Sequence, residues 1–280
     1  MGHGRAYKLA GVMGWPIAHS RSPVIHNHWI SHHGLKGVYV LLPVQPNDLE
    51  QALRALPKLG FSGCNLTIPH KVEALRLVDR VEPLARRIGA INTVVVESDG
   101  SLTGRNTDAF GYIESLKDAL PQWRADAGPA VVLGAGGAAR AVIASLMDQG
   151  AHEIRLANRS WMKAHDMAQE FGGPVSAIPW DDRHIALEGA ALLVNTTNQG
   201  MQGETALDLG LDLLPVDALV SDIIYVPMET PLIAAARQRG NATVNGLGML
   251  INQARPAFEA WFGVLPDITP HLLSQVRATL

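Results

Sequence analysis

The stretch Pro129-Ala-Val-Val-Leu-Gly-Ala-Gly-Gly-Ala-Ala-Arg140 constrains the fold more than any other part of the chain. A short apolar run, Ala130 to Leu133, breaks into glycines and then into the apolar-periodic segment Ala141 to Gly150, giving the order strand, tight turn, helix. Each small residue has a physical reason. Gly134 permits the sharp turn, Gly136 lets a backbone approach a pyrophosphate with no Cβ in the way, and Ala139 lets the helix lie close on the strand. Ala135, Gly137 and Ala138 complete the turn. The helix N-terminus behind it offers free N–H groups and the positive end of a dipole. These features together predict a dinucleotide-binding unit.

The end of the next strand selects the cofactor. About 20 residues past the glycines, where an NAD site places an acid for the ribose 2′-hydroxyl, the chain reads Ile154-Arg-Leu-Ala-Asn158-Arg159-Ser160, with no acid. Arg159 and Lys163 instead place cations where the 2′-phosphate of NADP would lie, and a guanidinium grips phosphate with a planar fork. NADP is therefore the cofactor expected; the rival reading is a solvated surface patch.

With 280 residues, 47% of them hydrophobic and 18% charged, the chain buries a sizeable core and most simply makes two domains. A formal charge of −3, with no long blocks of one sign, argues against a nucleic-acid or anionic-membrane surface. No N-terminal stretch reads as a signal peptide, and no apolar run approaches the roughly 20 residues of a spanning helix, so a cytoplasmic protein is expected. The single Cys64 excludes an internal disulfide framework and a multi-thiolate metal site. His28 and His32 have helical i,i+4 spacing but no glutamate completes a metal motif, and no metal is expected.

Along the chain, Leu9 to Met13 reads as a buried strand ending at Gly14. The following loop carries Ser20 and Ser22 before a helix over Val24 to His33. The two serines suit either a turn with an N-cap or a ligand site. A second strand, Gly37 to Pro43, precedes an amphipathic helix from Asn47 to Leu59 and a third strand from Phe61 to Ile68. This alternation implies parallel pairing, and ligands in open α/β sheets bind beyond the carboxyl ends of strands, so Asn65, Thr67 and Lys71 are candidates on geometry. Helical stretches at Lys71 to Asp79 and Pro83 to Ile88 lead to a strand from Gly89 to Val96, a turn at Ser98 to Ser101, and a returning strand. Asp108 then stands at the start of a helix, where capping alone would account for it. The nucleotide unit continues through strands at Val175 to Ile178, Ala191 to Asn195 and Val220 to Ile224. Two final helices, Met249 to Phe262 and Pro270 to Ala278, come after its strands and are expected on the first domain.

Eight of these stretches, in order over nearly the whole chain, resemble the shikimate dehydrogenase family. They are Gly14 to Pro23 with His26-Asn27, Asn65 to Lys71, Gly89 to Thr93, Asn106 to Asp108, Gly134 to Arg140, Asn158 to Ser160, Asp222 to Pro227, and Gly246 to Leu250 with Gln253. The resemblance implies an α/β fold in which an N-terminal α/β substrate domain (1–108 with 249–280) and a Rossmann-type, doubly wound NADP domain (109–248) flank a cleft. It implies that Ser20 and Ser22 bind a substrate carboxylate, that Thr67, Asn92, Tyr225 and Gln253 hold the ring and its hydroxyls, and that Lys71 and Asp108 are the catalytic pair. Asn158, Arg159, Ser160 and Lys163 would take the adenosine phosphate, and Met201, Gly246, Gly248 and Met249 would lie near the nicotinamide. Ser160, where the family more often has Thr, keeps the hydroxyl. Leu66, and Ala109-Phe110 after Asp108, depart from the common pattern without touching the pair.

The activity implied is reduction of 3-dehydroshikimate to shikimate with NADPH, in aromatic amino-acid biosynthesis. A carbonyl that accepts hydride needs a proton and positive charge at the developing alkoxide, and a lysine ammonium supplies both. The partners expected are this small-molecule substrate and, at most, a second copy of the chain: a monomer or homodimer. The rival readings are an NAD-linked quinate/shikimate dehydrogenase, which Arg159, Lys163 and the retained Ser22 oppose, and a non-catalytic NADPH-sensing protein. A methylenetetrahydrofolate dehydrogenase, which shares the two-domain plan, would want a more apolar cleft.

Overall fold

The computed structural model describes residues 7–280, so the reading of the extreme N-terminus falls largely outside the described residues. The chain divides into two compact units, one of residues 1–108 with Ile251–Thr279 and the other Ala109–Leu250.

The first unit is built on a six-stranded sheet of order β2-β1-β3-β5-β6-β4. Its strands are β1 (Lys8–Gly14), β2 (Gly37–Pro43), β3 (Phe61–Leu66), β4 (Arg80–Val81), β5 (Thr93–Val96) and β6 (Leu102–Arg105). β1 pairs in parallel with β2 and β3, whereas β5 runs antiparallel to both β3 and β6, so the sheet is mixed. Its helices within residues 1–108 are α1 (Ser22–His32), α2 (Leu49–Ala55) and α3 (Pro83–Ile88), and the segment Ile251–Thr279 adds the two last helices of the chain, the first of them only from Ile251 on. One face of the sheet buries Met13, Leu53, Leu56, Cys64, Leu66, Ile91 and Val94 together.

Several boundaries differ from the sequence expectation for local reasons. The helix expected over 47–59 is a 3-10 turn at Pro46–Asp48 followed by α2, which ends at Ala55: Leu56, still helical in conformation, donates to the Leu53 carbonyl, and Pro57 has no N–H with which to continue the ladder. The stretch 71–79 holds only a 3-10 turn at Glu73–Arg76. The strand expected from Gly89 begins at Thr93, because Gly89, at φ +72°, closes α3 by donating to the carbonyls of Ala85 and Arg86.

The second unit is a fully parallel six-stranded sheet of order β12-β11-β10-β7-β8-β9. It comprises α4 (Asp108–Ala119, its first residue in the other unit), β7 (Ala130–Leu133), α5 (Gly137–Asp148), β8 (Ile154–Ala157), α6 (Trp161–Phe171), β9 (Val175–Ile178), β10 (Leu192–Asn195), β11 (Leu219–Asp222), α7 (Pro231–Arg239) and β12 (Thr243–Val244). Alternation along β7 shows why both faces need cover: Ala130 and Val132 enter one hydrophobic cluster, Val131 and Leu133 the other. This is the doubly wound Rossmann arrangement, with its switch point between β7 and β10. The last helices are α8 (Gly246–Phe262), which begins three residues earlier than expected, and α9 (Pro270–Arg277). Among the described residues no helix is long and apolar enough to cross a membrane, and no group of three or more His, Cys, Asp or Glu is arranged to hold a metal ion.

Candidate functional site

Sheet direction brings the polar segments of the first unit together. β1 and β3 run in parallel, so the loop after Gly14 and the loop after Leu66 leave from the same end of the sheet. β5 runs the other way, which puts its start opposite the end of β3, with Asn65 facing Thr93. β6 then returns so that Arg105 faces Thr93, and Asn106 to Asp108 follow at that same end.

The side chains there form one hydrogen-bonded network. The Lys71 ammonium donates to Asp108 Oδ2 at 2.6 Å, with the two side chains 16% and 5% exposed. Asn92 Nδ2 donates to the other carboxylate oxygen, Oδ1, at 2.9 Å and to Gln253 Oε1 at 3.2 Å. The amide orientation of Asn92 follows from its neighbours: Oδ1 accepts from the main-chain N–H of Thr107 at 2.8 Å, a donor that cannot reverse its role. Asn65 is fixed in the same way, because its Nδ2 faces the Asn92 carbonyl at 3.1 Å and so leaves Oδ1 to accept from the Tyr39 hydroxyl at 2.6 Å. Tyr39 is fully buried, and burial holds its phenol well above the usual range, so it stays a donor.

Asp108 is the first residue of α4; Asn106 Oδ1 accepts from its N–H at 3.0 Å, and its two carboxylate oxygens accept from Lys71 and Asn92. At the serines the structure shows the turn of that alternative without a side-chain bond from the N-cap residue. Arg21 occupies the N-cap position of α1 without a side-chain bond, Ser20 Oγ accepts from the Ser22 N–H at 3.3 Å, and Ser22 is buried as the first helical residue. Thr67 begins the loop after β3, donating from its N–H to the Met13 carbonyl. Tyr225 belongs to the second unit, just beyond β11.

In the second unit, a cavity of about 320 Å³ is lined by Gly134, Ala135, Gly136, Asn158, Arg159, Ser160, Lys163, Trp180, Thr196, Thr197 and Asn198. It lies at the carboxyl ends of β7, β8, β9 and β10. Gly134 has φ +105°, and a Cβ there would stand 2.7 Å from Thr196 Oγ1. Gly136 is the N-cap of α5 with no side-chain capping bond and open space where a Cβ would be, so the first-turn N–H groups remain available. Arg159 and Lys163 are exposed and have no carboxylate partner among the described residues, which leaves both cations for an anion.

The remaining predicted positions do not line this cavity. Gly137 and Ala138 open α5 behind it, and Met201 lies in a turn after β10. Gly246 and Gly248 have steric reasons of their own, since a Cβ would meet the Ile223 carbonyl oxygen at 1.9 Å and the Ser115 Cβ at 2.8 Å respectively. Met249 is buried in a hydrophobic cluster of the second unit. Sequence reasoning marked the segment after β10 as a place for ligands but selected only Met201 from it. It missed Trp180 and Tyr39 entirely, and neither stands in a motif.

Residues 12–94 match the family described as Shikimate dehydrogenase substrate binding domain, 117–201 match Shikimate / quinate 5-dehydrogenase, and 246–270 match Shikimate 5'-dehydrogenase C-terminal domain. A Shikimate dehydrogenase (NADP(+)) of Paramagnetospirillum magneticum is 55% identical, over 95% of this chain and 96% of its own length. The chain belongs to the shikimate dehydrogenase family. Another family member, from Rhodospirillum rubrum, is 53% identical over 96% of each chain. Among solved family structures, the shikimate 5-dehydrogenase of Thermus thermophilus, crystallised with NADP(H) and shikimate, has a TM-score of 0.86 and 37% identity, covering 98% of this chain and all of its own. The quinate dehydrogenase of Corynebacterium glutamicum in complex with NAD has a TM-score of 0.87 at 31% identity, covering 98% of both chains.

Proposed function

We propose that this protein is an NADP-dependent shikimate dehydrogenase, interconverting 3-dehydroshikimate and shikimate in aromatic amino-acid biosynthesis. The observation that carries the reading is the Lys71 ammonium held 2.6 Å from Asp108, whose other oxygen is held by Asn92. Bound NADPH supplies the hydride. Lys71 Nζ gives a proton to the alkoxide that forms at the substrate carbonyl, and its positive charge stabilises that oxygen as charge develops. Asp108, kept in place by Asn92, aims the ammonium and takes part in holding the same hydroxyl. Ser20 and Ser22 bind the carboxylate, and Thr67, Asn92, Tyr225 and Gln253 match the ring hydroxyls; a polar pocket of this kind rejects analogues that leave its groups unpaired.

The residues around the cavity of the second unit suit NADP. Gly134 to Gly136 and the uncapped start of α5 fit a pyrophosphate, while Arg159 and Lys163, lacking an acid beside them, fit a 2′-phosphate, with Asn158 and Ser160 adjoining. Met201, Gly246, Gly248 and Met249 mark the nicotinamide end. On this reading residues 1–108 with 249–280 bind substrate and 109–248 bind cofactor, and the protein works in the cytoplasm as a monomer or homodimer.

The test is absorbance at the reduced-nicotinamide band with purified protein, crossing shikimate and quinate with NADP and NAD. Turnover confined to shikimate with NADP is the expected result. A preference for quinate or NAD refutes the roles given to Ser22 and Arg159, and inactivity in all four combinations refutes the enzyme.

A further inference from the structure

We propose that Trp180 is the platform on which the adenine base of the cofactor stacks, an inference that rests on the NADP reading of the same cavity. Trp180 follows β9, in a 3-10 turn at Trp180–Asp182, and is the aromatic residue among those lining the cavity. The other lining residues account for phosphates and ribose: glycines and a helix N-terminus, two cations, and the hydroxyls and amides of Asn158, Ser160, Thr196, Thr197 and Asn198. None of those offers an apolar plane to a flat heterocycle. The indole does, and base-on-aromatic stacking is worth a substantial part of the affinity of a nucleotide site.

The ring is also held in place in advance. The Arg183 guanidinium lies over the indole, its carbon 4.8 Å from the ring centroid, and Arg183 Nη1 donates to the Trp180 carbonyl at 2.8 Å. Arg183 is itself tied down by donating from Nε and Nη2 to the Asp208 carbonyl at 3.0 and 2.7 Å. Trp180 is partly buried and packs against the hydrophobic cluster of that face, which includes Leu187 and Leu211. An aromatic ring anchored this way loses little further freedom when a base settles on it.

Calorimetric titration with adenosine 2′,5′-bisphosphate tests this on the whole protein and its Trp180→Ala and Trp180→Phe variants, with thermal unfolding measured in parallel. The wild type is the control for the underlying reading: failure to bind the bisphosphate refutes the NADP site itself. Given binding, Trp180→Ala should raise Kd by about ten-fold or more, while Trp180→Phe, which keeps a ring, stays within about three-fold. Nicotinamide mononucleotide, which lacks the adenine, should bind all three proteins equally. An unchanged bisphosphate Kd in Trp180→Ala overturns the proposal, and a lowered melting temperature in that variant would then assign Trp180 to packing alone. Should Trp180→Ala not fold, tryptophan fluorescence decides: the bisphosphate quenches the wild type, and a quench that survives in Trp180→Phe overturns the proposal.

Discussion

His26 makes the stability of the first unit depend on pH in a way that can be calculated. Its ring is fully buried, stacked on Tyr39 at a centroid distance of 4.1 Å and an interplanar angle of 4°, with Trp29, Phe258 and Trp261 around it. Neither ring nitrogen has a hydrogen-bond partner among the described residues. Burial alone lowers its pKa from 6.5 to about 3, so the folded protein keeps the ring neutral. A base with a depressed folded pKa contributes full stability above the unfolded value and loses it as pH falls below 6.5, because the unfolded chain takes up the proton first. At pH 5 the gap between 6.5 and 5 is worth about 2 kcal/mol of stability lost relative to pH 7.

His26→Phe keeps a ring against Tyr39 and removes the titration. Urea unfolding followed by tryptophan fluorescence, at pH 7 and pH 5, should therefore show the wild type losing about 2 kcal/mol more than the variant. The buried-side shift of His70, also downward through burial, is common to both proteins and cancels in the difference. His26→Leu gives the same comparison without the added ring volume. Equal losses in wild type and both variants would refute the account, since His26 would then be protonated or solvated in the folded state.

Three further outcomes are expected. Lys71→Ala should lower kcat by roughly 10²- to 10⁴-fold with a much smaller change in substrate KM; a rise in KM alone removes the acid–base role. Arg159→Ala should weaken NADP by about ten-fold or more while leaving NAD nearly unchanged, measured as KM for each cofactor, and an equal loss for both would mean that Arg159 does not meet a 2′-phosphate. Gly246→Ala should lower thermal stability by roughly 1–3 kcal/mol even without cofactor, because its Cβ would overlap the Ile223 carbonyl oxygen at 1.9 Å; an unchanged melting temperature would show that α8 shifts freely.

The sequence was most legible where chemistry and conformation make the same demand. Gly134 needs its positive φ and also faces a ligand cavity, so the turn after β7 was readable residue by residue. The second sheet followed because its strands are continuous apolar runs covered on both faces. Boundaries near prolines and glycines were harder, as α2 and β5 show, since Pro57 has no N–H for the helical ladder and Gly89 closes α3 instead of opening a strand. Of the site, the candidates that share a motif were found. Tyr39 was not, because its part depends on β2 lying in register with β1, which sets it near Asn65 only after folding. Trp180 escaped for a similar reason: nothing in Ile178-Pro-Trp180 signals that the turn after β9, two strands away from β7, lines the same cavity as the glycine turn.

The antiparallel pair β5 and β6 carries Asn92 just before the start of one strand and Asp108 three residues past the end of the other. Its ladder, from Thr93 opposite Arg105 to Val96 opposite Leu102, fixes those two ends regardless of how the far turn is built. That turn, Ser98 to Gly100, is exposed and closes locally through the Glu97 N–H to the Ser101 carbonyl. The chain can therefore be rewritten there. Extra residues, an epitope or new chain ends at the tip would leave the working end untouched, whereas removing one residue from either strand would turn every side chain of that strand to the opposite face.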